Sequence, residues 1–283
     1  MIKGYHIPLG FKEREIIEIG TELLSGGYYE AIEIKYPFGM ESYDSESYLN
    51  GIGELMKQFS PEVTMHIPTN LDIGHANPAV HSVIMDEIKR SIDFAGEYDV
   101  SYLPIHPGTI GTMDIPDRDG SEIKELLIAA SEKKKLQARE ATVKSIVQLS
   151  DYLAGSTMKL ALENVLLPQE IVYSPGELDD MLKAVNRKNV EALFDCGHSN
   201  RCGIDPADFI HTLESKLGHV HINDNDGSCD LHLSMGKGNI DYTRMFQALK
   251  NKAYGGIVVM ETIYKSAADL ILDAEKLDRY IGS

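Results

Sequence analysis

The strongest constraint in this chain is an alternation. Short runs rich in β-branched and other apolar residues fall at 2–8, 29–36, 63–68, 101–106, 159–165, 190–195, 218–223 and 256–261. Longer stretches separate them, at 11–25, 45–59, 77–98, 121–155, 176–186, 206–217, 241–250 and 266–280. Several of these space their apolar side chains three and four apart, as Ile16, Ile17, Ile19, Leu23 and Leu24 do, and that is the period of a helix. Ser174-Pro175 and Asp205-Pro206 read as helix starts, because a proline in the first turn gives up no intrahelical hydrogen bond. Strand then helix, repeated eight times, argues for a parallel sheet closed into a barrel over an open sheet. The expected fold is α/β, a (β/α)8 TIM barrel in a single domain over residues 1–283. The length suits the roughly 250 residues such barrels use.

A barrel of this kind carries its chemistry at the C-terminal ends of its strands. The residues expected there are His6, Glu33, His66, His106, Glu163, Asp195, His221 and Glu261. All are proton carriers or potential metal ligands. Carboxylates and imidazoles converging on one mouth are costly to bury unless they are paired or bind cations.

The local motifs sharpen this. In "LALEN" Glu163 follows an apolar strand and can ligate a divalent ion. In "LFDCGH" Asp195 ends a strand and His198 lies three residues on, where the loop can turn back over the mouth. Asp195 there is a ligand or a cap of the following turn. In "HVHIND" His219 and His221 share a face, since side chains alternate along a strand. The outer one, His221, is the expected ligand, and His219 lies about 7 Å deeper. "VVMET" ends the last strand with Glu261. Glu163, Asp195, His221 and Glu261 form a carboxylate-rich set with one imidazole, a mix suited to Mn²⁺, Mg²⁺ or Zn²⁺. "HIPTN", "PIHPG" and "CDLHL" add His66, His106, Asp230 and His232. With His198 these raise the nitrogen count and favour zinc, although His66 and His198 could equally hold substrate. "GKGN", at 236–239, is a weak phosphate signal and reads first as a tight turn, with Lys237 free to meet an anionic substrate.

Composition excludes several classes. With 27 basic and 44 acidic side chains the net charge is −17, which repels nucleic acid at long range. The cations expected near the loops are scattered: Lys35, Arg118, Arg201 and Lys237. Lys133, Lys134 and Lys135 read as a solvated helix face. No apolar run spans a bilayer, and the first residues lack the pattern of a secretion signal. The expected localisation is cytoplasmic. Three cysteines without a C-x-x-C spacing do not suggest a disulfide framework.

In "HPG", "LEN", "FDCGH", "HINDND…DLH…GKGNID" and "ET" the chain resembles the xylose-isomerase-like barrel superfamily over nearly its whole length. That superfamily holds sugar isomerases and epimerases together with endonuclease IV-like repair enzymes. The resemblance implies divalent metal at the mouth. In ketose epimerases of this group a Glu-Asp-His-Glu ligand set matches Glu163, Asp195, His221 and Glu261, and the two glutamates also move protons. In endonuclease IV-like proteins nine ligands hold three zinc ions. They match His66, His106, Glu163, Asp195, His198, His221, Asp230, His232 and Glu261. Against that second likeness, "VLLPQE" follows Asn164 where the repair enzymes have a small, glycine-rich stretch. "IPTN" follows His66 without an aromatic to probe DNA.

The expected function is therefore a metal-dependent isomerase or epimerase of a sugar or sugar phosphate. Glu163 and Glu261 would serve as base and acid, and the metal would stabilise the enediolate. His198, His66 and Lys237 are the expected substrate contacts. One to three ions of Zn²⁺ or Mn²⁺ are expected, and a homo-oligomer is left open. The alternatives are a trinuclear zinc phosphodiesterase acting at apurinic sites and a non-catalytic sugar-binding barrel.

Overall fold

The computed structural model describes residues 1–40, 42–109, 122–166 and 170–282. All eight expected strands form: β1 (Ile2–His6), β2 (Ala31–Lys35), β3 (Glu62–His66), β4 (Tyr102–Ile105), β5 (Lys159–Glu163), β6 (Val190–Asp195), β7 (Leu217–Ile222) and β8 (Ile257–Met260). They close into a barrel in sequence order. The closure is the parallel pairing of β1 with β8, which sets Gly4 beside Val259. The protein is a single-domain (β/α)8 TIM barrel, as the alternation predicts.

The helices are α1 (Glu13–Ser25), α2 (Ser42–Phe59), α3 (Pro78–Ala95), α4 (Glu122–Tyr152), α5 (Pro175–Val185), α6 (Cys196–Arg201), α7 (Pro206–Thr212), α8 (Tyr242–Asn251) and α9 (Ala267–Gly282). Ser174 and Asp205 cap α5 and α7 through their side-chain oxygens, each with proline in the first turn, as their sequences imply. The exception is α6. The sequence implies a loop directly after Asp195, whereas the chain enters a helix of six residues. Asp195 is its cap: the side chain accepts the backbone N–H of His198 at 2.7 Å. The turn is too short to display a period, so the apolar pattern could not announce it. Among the described residues no helix is long and apolar enough to cross a membrane.

Two separate apolar clusters follow from the pleat. Side chains alternate between the helix layer and the barrel axis. The large cluster lies between strands and helices, with Ile32, Ile34, Met65, Leu162, Phe194, Val220 and Met260 wholly buried. A small one, Ala31, Ile257 and Val259 with Tyr102 against it, fills the lower barrel axis. Gly4 belongs there by necessity: a Cβ would come within 3.1 Å of both Ala31 and Val259. Above this plug the axis turns polar, and that polar layer is the floor of the mouth.

Phe194 packs outward from β6 against Phe209, ring centroids 5.1 Å apart, one residue before Asp195. Phe194→Ala is expected to destabilise the protein by about 3–5 kcal/mol. Denaturant unfolding checks it, and a loss below about 1 kcal/mol would show that β6 does not depend on this contact.

Candidate metal centre

The strand ends converge. His221 Nδ1 lies 3.1 Å from Glu261 Oε2, 3.5 Å from Glu163 Oε1 and 3.9 Å from Asp195 Oδ2. Ligand-capable atoms of these four residues all lie within 4.8 Å of one another. A second group shares Glu163: its Oε2 is 3.2 Å from the Nε2 atoms of both His66 and His106. A third, looser group is centred on Asp230 Oδ2, 2.9 Å from His232 Nε2 and 3.7 Å from His198 Nε2. The cavity above them holds about 350 Å³. His6, Lys35, Thr69, Leu166 and Ile263 complete its wall.

Backbone anchors set the imidazoles. A carbonyl oxygen only accepts, so the ring nitrogen against it must carry the proton. His66 donates its Nδ1–H to the Ile67 carbonyl (2.7 Å), His198 to that of Asn164 (2.8 Å) and His232 to that of Glu261 (2.6 Å). Each therefore turns its Nε2 toward a carboxylate, and a proton or a cation must lie between the two. His221 is the reverse case: its Nε2–H points to Glu33, and Nδ1 has no hydrogen-bond partner. Glu163 Oε1 and Asp230 Oδ1 likewise lack hydrogen-bond partners. Acceptors thus face acceptors at distances that require a positive charge between them. Lys35, 3.3 Å from Glu261, is the only lysine or arginine on the cavity wall among the described residues. Orphaned buried acceptors and a mixed carboxylate–imidazole donor set fit a divalent cation.

The electrostatics agree. Burial alone would raise the Glu163 carboxyl, but the charge of His106 and the close imidazoles of His198 and His221 hold it well below the ordinary carboxylate range. Burial dominates at Asp195, reinforced by Glu163 and Glu261, and lifts it to about 6. Burial works against a charge on His232, yet the hydrogen bond to Asp230 and the charges of Glu261, Asp230 and Asp195 raise it to about 9. His198 and His221 also lie well above the usual imidazole value despite burial, chiefly through Asp195 and Glu33 respectively. His6 goes the other way, to about 4, because burial outweighs its acidic neighbours.

Of the residues expected at the mouth, His66, His106, Glu163, Asp195, His198, His221, Asp230, His232 and Glu261 all meet there. Glu33 does not. It points into the axis one pleat below, and Lys35 takes the mouth position on β2. Lys237 does not line the cavity either. It is exposed on a turn, which wraps the buried Asp224 through the N–H groups of Gly236 (2.8 Å) and Ile240 (3.4 Å). "GKGN" is that tight turn: a Cβ on Gly238 would fall 2.1 Å from the Asn225 carbonyl. Arg201 is not on the cavity wall, and Arg118 lies outside the described residues.

Two residues went unnoticed in the sequence. Asn164 clamps the ends of β5 and β6 together, its Oδ1 accepting the Asp195 N–H (2.8 Å) and its Nδ2 donating to the Asp195 carbonyl (3.0 Å). Asn223 donates to Asp195 Oδ2 at 2.9 Å. Their signal was present in "LEN" and "HIN", an amide directly beside or two residues beyond a ligand. Gly197 is obligatory beside them, since a Cβ would collide with Asn223 Oδ1 at 1.8 Å.

A (β/α)8 barrel with carboxylates and imidazoles gathered at its C-terminal mouth defines the class. The chain belongs to the xylose isomerase-like TIM barrel family, whose model matches residues 25–279. It is 28% identical over 244 residues to an uncharacterized protein of Methanocaldococcus jannaschii, across 84% of this chain and 76% of that one. It is 23% identical over 207 residues to the fructoselysine 3-epimerase of Shigella flexneri, across 72% of this chain and 67% of that one. Among solved structures, that of IOLI protein with a binding zinc atom shares the fold, with a TM-score of 0.74 at 19% identity over 100% of this chain and 98% of that one.

If protons fill these acceptor gaps in the metal-free protein, a divalent ion must expel them. Loading with Zn²⁺ at pH 7 is expected to release on the order of one proton per ion. Affinity should climb as pH rises toward the value of about 9 at which His232 gives up its proton. Calorimetry in buffers of different ionisation enthalpy measures this, and binding with no proton release would contradict the arrangement.

Proposed function

We propose that this protein is a divalent-metal-dependent isomerase or epimerase of small sugars or sugar phosphates. The observation that carries the reading is the juxtaposition of Glu163, Asp195, Glu261 and the unpartnered Nδ1 of His221. These four residues would hold the ion. A divalent ion there supplies Lewis acidity, drawing electron density from a substrate carbonyl and acidifying the neighbouring C–H. The fructoselysine 3-epimerase and the zinc-bearing IOLI structure support the same assignment.

The chain's own residues supply the remainder. Glu163 and Glu261 stand on β5 and β8, three strands apart around the ring, so they address a substrate from different sides. Both carboxyls are held well below their ordinary range, against burial, by surrounding imidazoles and, at Glu261, Lys35. Each therefore stands ionised, the form a general base needs, so one could take a proton on its side of the substrate and the other return one on its own. His198 and His66 orient hydroxyls, and Lys35 offers the cavity's cation to an anionic group. A volume of about 350 Å³ admits a small molecule.

A second reading, a zinc phosphodiesterase, draws on one observation: the nine ligand-type residues fall into three groups at the same mouth, two of which share Glu163. A net charge of −17 and, among the described residues, a single lysine on the wall disfavour a DNA duplex as substrate.

Glu163→Gln and Glu261→Gln are each expected to cut solvent deuterium exchange at the carbon beside a ketose carbonyl by about 10²–10⁴-fold while the fold persists. Wild-type exchange in either variant would remove that residue from proton transfer. Efficient metal-dependent nicking of abasic duplex DNA by the wild type, with no exchange on any ketose, would favour the second reading.

A further inference from the structure

Beneath the mouth lies a cluster that the proposed reaction does not use. Glu33 on β2 is wholly buried and reaches across the barrel axis to β7. His219 Nε2 is 3.0 Å from Glu33 Oε2, and His221 Nε2 is 3.1 Å from Oε1. Thr64 on β3 donates to Oε2 at 2.9 Å. Strands β2 and β7 are not neighbours in the sheet, so these bonds tie opposite parts of the barrel through its interior.

We propose that Glu33 is a positioning residue that selects which nitrogen of His221 faces the metal centre. The inference rests on the reading of His221 as a metal ligand. His66, His198 and His232 are each anchored through Nδ1–H on a backbone carbonyl and present Nε2. His6 makes the same kind of contact, Nδ1 to the Met260 carbonyl at 3.4 Å. His221 alone among these is anchored through Nε2, and its anchor is a side chain. A carboxylate accepts and cannot donate, so it requires the proton on Nε2 and leaves the Nδ1 lone pair aimed at Glu163, Asp195 and Glu261. A carboxylate behind a ligating histidine also increases its basicity toward the ion.

His219 braces the device. Its ring stacks on Tyr102, centroids 5.8 Å apart at 20°, while its Nε2–H occupies Glu33 Oε2. Glu33 Oε2 thus accepts from Thr64, His219 and, at 3.2 Å, His221, while Oε1 lies 3.1 Å from the same His221 nitrogen and makes no hydrogen bond of its own. This use of the oxygens argues against Glu33, His219 and His221 holding an ion of their own. Both Nε2 atoms already donate to the carboxylate at ordinary N–H···O distances.

The test compares wild type, Glu33→Gln and His221→Ala. Each is stripped with a chelator and titrated with Zn²⁺ against a chromophoric competitor, with circular dichroism reporting the fold. Glu33→Gln leaves one acceptor oxygen and adds a donor. It is expected to lower the affinity of the site about 10–100-fold at unchanged stoichiometry. Wild-type affinity in Glu33→Gln would overturn the proposal. So would a lower stoichiometry, since the trio would then hold an ion itself. His221→Ala isolates the underlying reading: if it binds Zn²⁺ as the wild type does, or if the wild type binds none, the ligand assignment fails independently of Glu33. Should Glu33→Gln not fold, the ¹⁵N-histidine spectrum of the zinc-loaded wild type decides. Protonation of His221 at Nε2 with the ion on Nδ1 is expected, and the reverse would overturn the proposal.

Discussion

Carboxylate oxygens and imidazole nitrogens meet at the mouth of this barrel, with one lysine on the cavity wall among the described residues. Such a set does not hold together in a low dielectric without added positive charge, because taking each ion out of water costs several kcal/mol. Protons on His198, His221 and His232 supply part of that charge, which is why those imidazoles stand above their usual range. The proposed divalent cation would supply it more compactly and leave the carboxylates ionised. The rest of the structure reads as a frame that keeps these groups close despite their repulsion.

That frame is built from main chain and amides. Carbonyls of Ile67, Asn164 and Glu261 fix three rings. Asn164 and Asn223 pin Asp195 from the ends of β5 and β7, so its carboxylate cannot swing away from the axis. Asp224 gathers the turn at Gly236–Ile240, and its bridge to Leu233 brings His232 back over the mouth. His232 sits there at φ +45, a left-handed conformation that a histidine adopts only when its surroundings hold it. Beneath, Glu33 spans from β2 to β7 and holds His221 through Nε2, where His66, His198 and His232 are held through Nδ1 on carbonyls.

The barrel was legible because its signal is repeated: eight apolar runs at strand length, eight stretches with helical spacing, and caps such as Asp205-Pro206 at the joints. The ligand-type residues were legible for a related reason, since the pleat dictates that the last inward residue of each strand faces the mouth. The same rule misled at β2. Glu33 and Lys35 both point inward, and only the length of the strand decides which one is outermost. Lys237 misled differently: a glycine-rich turn looks alike in sequence whether it cradles a phosphate or wraps a buried aspartate. The helix α6, and the clamps made by Asn164 and Asn223, depend on contacts between strands, and no local period encodes those.

The central claim is that one divalent ion belongs between His221 Nδ1 and the carboxylates of Glu163, Asp195 and Glu261. Anomalous diffraction from crystals loaded with Zn²⁺ or Mn²⁺ tests it most directly. The account predicts a peak at this point, about 2.0–2.2 Å from the imidazole nitrogen and from a carboxylate oxygen. A loaded crystal with no peak there, or with His221 turned to offer Nε2 to the ion, would contradict it.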